Sequence, residues 1–449
     1  MAQSKRNLVG LSDIKLYIPP LRMDVGRIVE HRAAENSSIR RHLERAMRVT
    51  GQESIRFPES WQDTATMAAQ AAFDLLKQNP AVTPGTLRHI AVGTESGLDH
   101  SKPVSAYVQG MLQRAAVPVP ASLSSFQSQH ACAGGTVALL SVAGLLSAGG
   151  RPDDSGMVIA ADIARYQSRS TAEVTQGGGA AALLVQSSPR LVELDLAGIG
   201  YHSQDVDDFF RPLGSPVPVV SGGYSMKCYE QSLEAAFVDH CVRIGRAPAQ
   251  VLSETDFFVL HTPFHAMPGI ALEKLLASQL GLGREHARAF LEQRGFQKSI
   301  EPLAKIGNLY TASMYAALAF LLEDRLRVMG EAIVGKRILL ASYGSGNTMI
   351  VFSARVAEAA PEVISGWTLD PLGAGSRSAS FEEYERWIEG THPAPGLYPV
   401  VDKRSLPADS FYLSGIRRDG YREYGKTDSM PWIQAADAPV PGEPVAAIA

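Results

Sequence analysis

The feature that most constrains this chain is an order of short apolar runs and long apolar helices that occurs twice. HIAVGTE at 89–95 has the length and composition of a buried strand with polar residues at its end. The run 132–148 has almost no polar face, so a helix there must be buried. GMVIAADI at 156–163 is the next strand, and GGGAAALLVQ at 177–186 reads as a glycine-rich turn feeding another. The order then returns. DFFVLHTPF at 256–264 is a strand ending in a histidine loop, NLYTASMYAALAFLLEDRL at 308–326 is a small-residue helix, and RILLASYGSGNTMIVFSA at 337–354 is strand, glycine turn and strand. Alternation of this kind specifies an α/β protein. Its recurrence without a direct sequence repeat implies two related halves.

The expected division is an N-terminal half over 1–186, a second half over 187–355 that includes an intervening segment, a C-terminal extension over 356–428, and a tail over 429–449. SASFEEYERWIEG in the extension is an amphipathic helix, and the Pro/Ala-rich tail is expected to be disordered. At 449 residues the chain has ample length for a large core. A net charge of −4 gives no footprint for nucleic acid. No run is read as reaching the length of a membrane span, and the N-terminus lacks the apolar segment of a signal peptide. Cys132, Cys228 and Cys241 are too few and too scattered for a disulfide framework or a zinc site. The expected setting is a reducing cytoplasm.

Chemistry is suggested by FQSQHACAGGTVALL at 126–140, where Cys132 stands between a polar segment and an apolar helix. A helix N-terminus lowers a thiol's pKa, and the thiolate is the nucleophile. Gly134 and Gly135 leave room for a ligand. The competing reading is a small hydrophobe at a helix start. Cys228 and Cys241 read as core residues. Glu95 ends a strand, where a desolvated carboxylate acts as a base; a solvated strand end is the alternative. His261 follows an apolar run, and Pro263 holds the next turn extended, so the imidazole leaves the strand end as a candidate acid/base or as a structural group. Asn308 either caps a helix or binds a carbonyl. The glycine turn of SYGSG, at 342–346, is either a hairpin or an oxyanion-binding backbone. His130 and His265 are expected mainly at the surface.

Together GQESIRFP (51–58), GTESGLDHSKPVSAYVQGML (93–112), HACAGG (130–135), AADIARY (160–166), SMKCYEQSL (225–233), HTPF (261–264), GNLYTASMYAALA (307–319) and SYGSG (342–346) carry a resemblance. The chain resembles the 3-hydroxy-3-methylglutaryl-CoA synthase family of thiolase-fold condensing enzymes over residues 8–425. The resemblance implies a five-layered αβαβα arrangement of two duplicated halves, working as a homodimer. It implies Cys132 as the acyl-thioester nucleophile, Glu95 as the base that deprotonates the acetyl methyl group, and His261 as the acid/base at the ketone. It places Thr175, Ser225, Asn308 and Ser345 along the acyl and pantetheine pocket, with Tyr343 in the same turn as Ser345. It implies no metal and no organic cofactor, the acyl groups being carried on CoA or on the phosphopantetheine of an acyl carrier protein.

Two branches differ in what they imply. Mevalonate-pathway members usually carry lysines after the HxPF motif to meet CoA phosphates. Here HTPFHAMPGIALEK has Ala266 and Ile270, with Lys274 one turn on, and Ala133 stands where a tyrosine is usual. The loop, the run ESGLDHSKPVSAY and the RWIEG region resemble the polyketide β-branching enzymes, whose partners are acyl carrier proteins. GNLYTASMYAALA is nearer the mevalonate pattern. The β-branching reading is preferred, with the mevalonate enzyme second. A ketoacyl synthase III-like enzyme or an inactive scaffold follows; Glu95 argues against the former and the intact Cys132, Glu95 and His261 against the latter.

Overall fold

The computed structural model describes residues 8–369, 375–390, 395–396 and 401–428. The tail assigned to 429–449 lies outside the described residues.

Five strands of the first half, Val9–Tyr17, Leu87–Gly93, Ser124–Ser128, Ser155–Ala164 and Gly177–Ser187, stand in the spatial order first, fifth, fourth, second, third. The first and fifth pair antiparallel, as do the fifth and fourth, and the fourth and second pair parallel. In the second half Gly200–Ser203, Phe257–Leu260, Arg337–Gly344 and Thr348–Val356 repeat that order and those senses, without a counterpart of Ser124–Ser128. The duplication therefore lies in topology. Val192–Leu194 pairs with both Val9–Tyr17 and Thr348–Val356 and so links the two halves' sheets edge to edge, ten strands in all.

Strand alternation sorts side chains into layers. Met157, Ile159 and Ala161 face the outer helices Thr64–Gln78 and Val104–Arg114, while Val158 and Ala160 face the central helices Gly134–Gly149 and Ser313–Met329. In the second half Leu339, Ala341 and Tyr343 face Gly222–Arg243 and Met267–Leu280, while Ile338 and Leu340 face the central pair. Helix, sheet, helix, sheet, helix is the five-layered αβαβα arrangement of the thiolase-like fold. At the centre Thr136 and Tyr315 share a hydroxyl–hydroxyl hydrogen bond of 2.9 Å between the two equivalent helices.

Three local expectations need correction. Gly177, Gly178 and Gly179 lie inside a strand rather than in a turn. A Cβ on Gly177 would sit 2.5 Å from the Asn308 carbonyl oxygen, so the glycine admits a neighbouring chain. The apolar central helix begins at Gly134, two residues after Cys132, and is not buried all round: Ser141, Gly144 and Leu145 are exposed. Residues 131–149, with hydropathy 1.8, are also long and apolar enough by composition to cross a membrane. Within this stretch 56% of the apolar 18-residue window is buried, as befits a helix between two sheets. Asn308 precedes the helix rather than opening it; the helix starts at Ser313, after the short turn Tyr310–Ala312.

The amphipathic helix of the extension is Phe381–Glu389, opened by a reciprocal Ser380/Glu383 capping box. It buries Tyr384 and Trp387 against Phe57. Cys228 and Cys241 are buried, as expected.

Candidate active site

Equivalent parallel strands of the two halves deliver the site from their C-terminal ends, where α/β sheets commonly bind ligands. Leu87–Gly93 leads into Thr94 and Glu95, and Phe257–Leu260 leads into His261. Cys132 enters from the turn before the central helix, with Ala131 at φ 40°. Gly93 is required there, because a Cβ would lie 2.3 Å from the Gly135 nitrogen.

Cys132 Sγ donates to Glu95 Oε1 at 3.3 Å. Glu95 is 6% exposed in its side chain, and its second oxygen lies 3.6 Å from Arg211 Nη2. Burial, reinforced by the nearby charge of Asp162, pushes the Glu95 carboxyl up to about 8. The thiol is pushed well above its ordinary value by burial and by the negative charges of Glu95 and Asp162. This corrects the expectation that the helix N-terminus would ionise Cys132. Desolvation and two carboxylates outweigh a helix start two residues away.

Asp162 holds this arrangement, and the sequence marked it only as part of a motif. Its Oδ1 accepts from the Thr94 hydroxyl at 2.8 Å and from the backbone N–H groups of Glu95 and Ser96 at 2.9 Å. Its Oδ2 accepts from the Thr311 N–H at 3.1 Å and from the Thr311 hydroxyl. One buried carboxylate thus ties the Glu95 strand end to the second half.

His261 makes no direct bond to Cys132 or Glu95 among the described residues. Its Nδ1 lies 2.7 Å from Ser313 Oγ, and burial lowers its pKa to about 3, so the imidazole is neutral. Its N–H donates to Ala341 O, and its carbonyl accepts from the Tyr229 hydroxyl at 2.8 Å. The neighbouring strand brings it toward the cysteine. Gly344, three residues beyond Ala341, packs so closely that a Cβ would be 2.3 Å from His130 O and 2.8 Å from the Ala133 side chain.

The turn expected from SYGSG is a hairpin end, Ser345–Asn347. Asp208, which the sequence reading missed, gathers three groups around it. It accepts from the Ser225 hydroxyl at 2.9 Å, the Tyr343 hydroxyl at 2.8 Å and the Gly346 N–H at 2.9 Å. The Asn347 N–H goes to Gln204 O. The oxyanion expectation therefore narrows to the Ser345 end of the turn. Asn308 Oδ1 accepts from the Tyr310 N–H at 2.8 Å, the local capping role, while its amide nitrogen points to the Tyr166 hydroxyl at 3.5 Å. Thr175 is buried and donates to Ala172 O at 2.9 Å. Tyr166, Phe209 and Tyr310 form an edge-to-face cluster against which Cys132 packs. His130 and His265 are half-buried rather than at the surface.

A five-layered fold with a half-buried thiol–carboxyl pair at the strand ends defines a condensing enzyme of the thiolase-like class. The hydroxymethylglutaryl-coenzyme A synthase N-terminal family model matches residues 5–189, and the C-terminal model matches 192–281 and 284–427. The hydroxymethylglutaryl-CoA synthase of Enterococcus faecalis is 29% identical over 383 residues, covering 85% of this chain and 92% of that protein. The human mitochondrial hydroxymethylglutaryl-CoA synthase is 26% identical over 471 residues, covering 93% and 89%. Among solved structures, MvaS in complex with 3-hydroxy-3-methylglutaryl coenzyme A is 30% identical with a TM-score of 0.78, over 93% of this chain and 99% of that one. The curacin biosynthetic pathway HMG synthase, at 21% identity and a TM-score of 0.80 over 93% and 100%, shares the fold. The chain belongs to the hydroxymethylglutaryl-CoA synthase family.

Proposed function

We propose that the chain acetylates Cys132 and adds the acetyl enolate to a β-ketoacyl thioester, with acyl carrier proteins as its partners in polyketide β-branching. Cys132 Sγ attacks the donor thioester carbonyl and the donor C–S bond breaks; the Cys132 proton passes by way of Glu95 Oε1 to the departing pantetheine sulfur, which leaves as a thiol and returns Glu95 to its carboxylate. Glu95 then takes a methyl proton, and the enolate attacks the β-ketone, whose oxygen accepts a hydrogen bond and then the N–H proton of neutral His261; the proton held by Glu95 makes good that loss and leaves both groups as they began. Water cleaves the remaining thioester and frees Cys132. Thr175, Ser225, Asn308, Tyr343 and Ser345 are assigned to the acyl and pantetheine pocket. The chemistry needs no metal or organic cofactor in this reading. The contact between Cys132 and Glu95 supports the covalent route.

The carrier-protein assignment rests on the loop after His261. Ala266 and Ile270 stand where lysines for CoA phosphates are expected, and Lys274, the next cation, is paired with Glu230. A charge-assisted phosphate contact is worth about 1.5–3 kcal/mol, so its absence favours a donor that brings its own protein surface. The test is intact-mass detection of acetyl-Cys132 after mixing with acetyl carrier protein or acetyl-CoA. Much faster labelling by the carrier protein supports the proposal, and equal rates would sink it.

A second reading, the mevalonate-pathway synthase acting on acetyl-CoA and acetoacetyl-CoA, is favoured by the 30% identity to MvaS against 21% for the curacin enzyme. A homodimer is proposed because strand Ser124–Ser128 pairs on one side only among the described residues, and the nearby central helix exposes Leu145 at 47%. A reducing, cytoplasmic setting suits three free cysteines.

A further inference from the structure

Arg211 is poorly explained as a partner for Glu95 alone. Its Nη2 lies 3.6 Å from Glu95 Oε2 and its Nη1 donates to the Glu95 carbonyl at 3.3 Å, both long for a charge-assisted contact. Its Nε is buried and finds no acceptor among the described residues. Arg165 repeats the pattern: its Nη1 donates to Gly390 O at 2.8 Å, its guanidinium lies over the Trp387 ring, and its Nε is buried without an acceptor. Burial lowers the Arg165 pKa to about 10, and the nearby positive charge of Arg211 adds to the shift. Two neighbouring under-used guanidinium groups, one of them reaching the carboxyl that holds the Cys132 thiol, make an anion site.

Its distance from the thiol selects the anion. Glu95 touches Sγ with one oxygen and approaches Arg211 with the other, so Arg211 is one carboxyl group removed from Cys132. A pantetheine phosphate stands at the far end of a long arm from the reacting sulfur and cannot occupy this place while the acyl group is on Cys132. A carboxylate formed on the acyl carbon itself can.

This inference rests on the condensation reading. We infer that Arg211, supported by Arg165, binds the carboxylate formed when water cleaves the condensed acyl group from Cys132. Water adds to the thioester carbonyl carbon, and the C–Sγ bond breaks with its electron pair on sulfur. One water proton ends on Sγ and the other leaves to solvent, so the acyl group departs as a carboxylate. Glu95 and Asp162 already place negative charge around Cys132, and a third carboxylate forming there requires a fixed cation.

The test is rapid-quench intact-mass analysis of acetyl-Cys132 and of the condensed adduct in wild type, Arg211→Gln and Arg211→Lys. Arg211→Gln is expected to slow decay of the condensed adduct by about ten- to a hundred-fold more than it slows acetylation, with Arg211→Lys recovering part of the loss. Free 3-hydroxy-3-methylglutarate is expected to protect Cys132 from iodoacetamide in wild type and to protect Arg211→Gln at least several-fold less. Equal slowing of acetylation and adduct decay, or equal protection in both proteins, overturns the inference and leaves the condensation reading standing. Absence of any condensed adduct on the wild type overturns that reading, and this inference with it.

Discussion

Cys132 Sγ and Glu95 Oε1 are 3.3 Å apart, with the thiol donating to a carboxyl whose pKa burial and Asp162 raise to about 8. A base works only when ionised, so the sign follows directly. Below about pH 8 the fraction of ionised Glu95 rises tenfold per unit, and the rate of methyl proton removal rises with it before levelling off. Glu95→Gln should remove that slope and lower condensation by about 10²–10⁴-fold. Loss of label from a deuterated acetyl group on Cys132, followed between pH 6 and 9, checks both. A flat wild-type profile contradicts the assignment.

The same pair sets the reactivity of the thiol in the opposite sense. Negative charge on Glu95 disfavours the Cys132 thiolate. Glu95→Gln removes that charge and one acceptor of the S–H bond, so more thiolate exists at a given pH. Alkylation of Cys132 by iodoacetamide at pH 8 should therefore be faster in Glu95→Gln than in wild type. Slower alkylation would mean that Glu95 serves chiefly as the base for the thiol.

Asp162→Asn tests what holds Glu95 in place. An amide keeps one acceptor oxygen and puts an NH₂ where the other accepted. Either the Thr94, Glu95 and Ser96 donors or the two Thr311 donors then face nitrogen. A buried donor left without a partner costs about 1–3 kcal/mol. Urea unfolding should show a loss of about 2 kcal/mol or more, with condensation impaired more than acetylation because Glu95 is displaced.

Strand and helix identities were legible because burial leaves a period in the sequence. The strand ending before Glu95, the 337–344/348–356 hairpin and the capped helix 381–389 lie close to where apolar runs and turn residues place them. Where steric contact across the chain decides, local reading fails. The glycines at 177–179 look like a turn, but their role is to admit the Asn308 segment, 131 residues from Gly177. Asp162 and Asp208 were also opaque. An acidic residue at a strand or loop end looks solvated until its donors arrive from segments such as Thr311 and Tyr343. The Cys132 pKa was misjudged for the same reason: the helix start is local, and Glu95 and Asp162 are not.

Gly344→Ala probes a place where the second half presses directly on the cysteine turn. A Cβ at Gly344 would stand 2.3 Å from His130 O, 2.8 Å from the Ala133 side chain and 2.9 Å from the Ala133 nitrogen. Two of these atoms are backbone, so relief requires the hairpin or the Cys132 turn to move rather than a side chain to rotate. Overpacking of this kind costs about 1–3 kcal/mol, a small part of the stability of so large a core. A shift of even part of an ångström changes both the Sγ–Glu95 contact and the spacing to His261, and reaction rates fall steeply with such misplacement. The variant should fold, melt modestly below wild type, and form acetyl-Cys132 at least about tenfold more slowly. Calorimetry beside intact-mass kinetics separates the two effects; unchanged acetylation with a lowered melting point would show that the hairpin does not position the nucleophile.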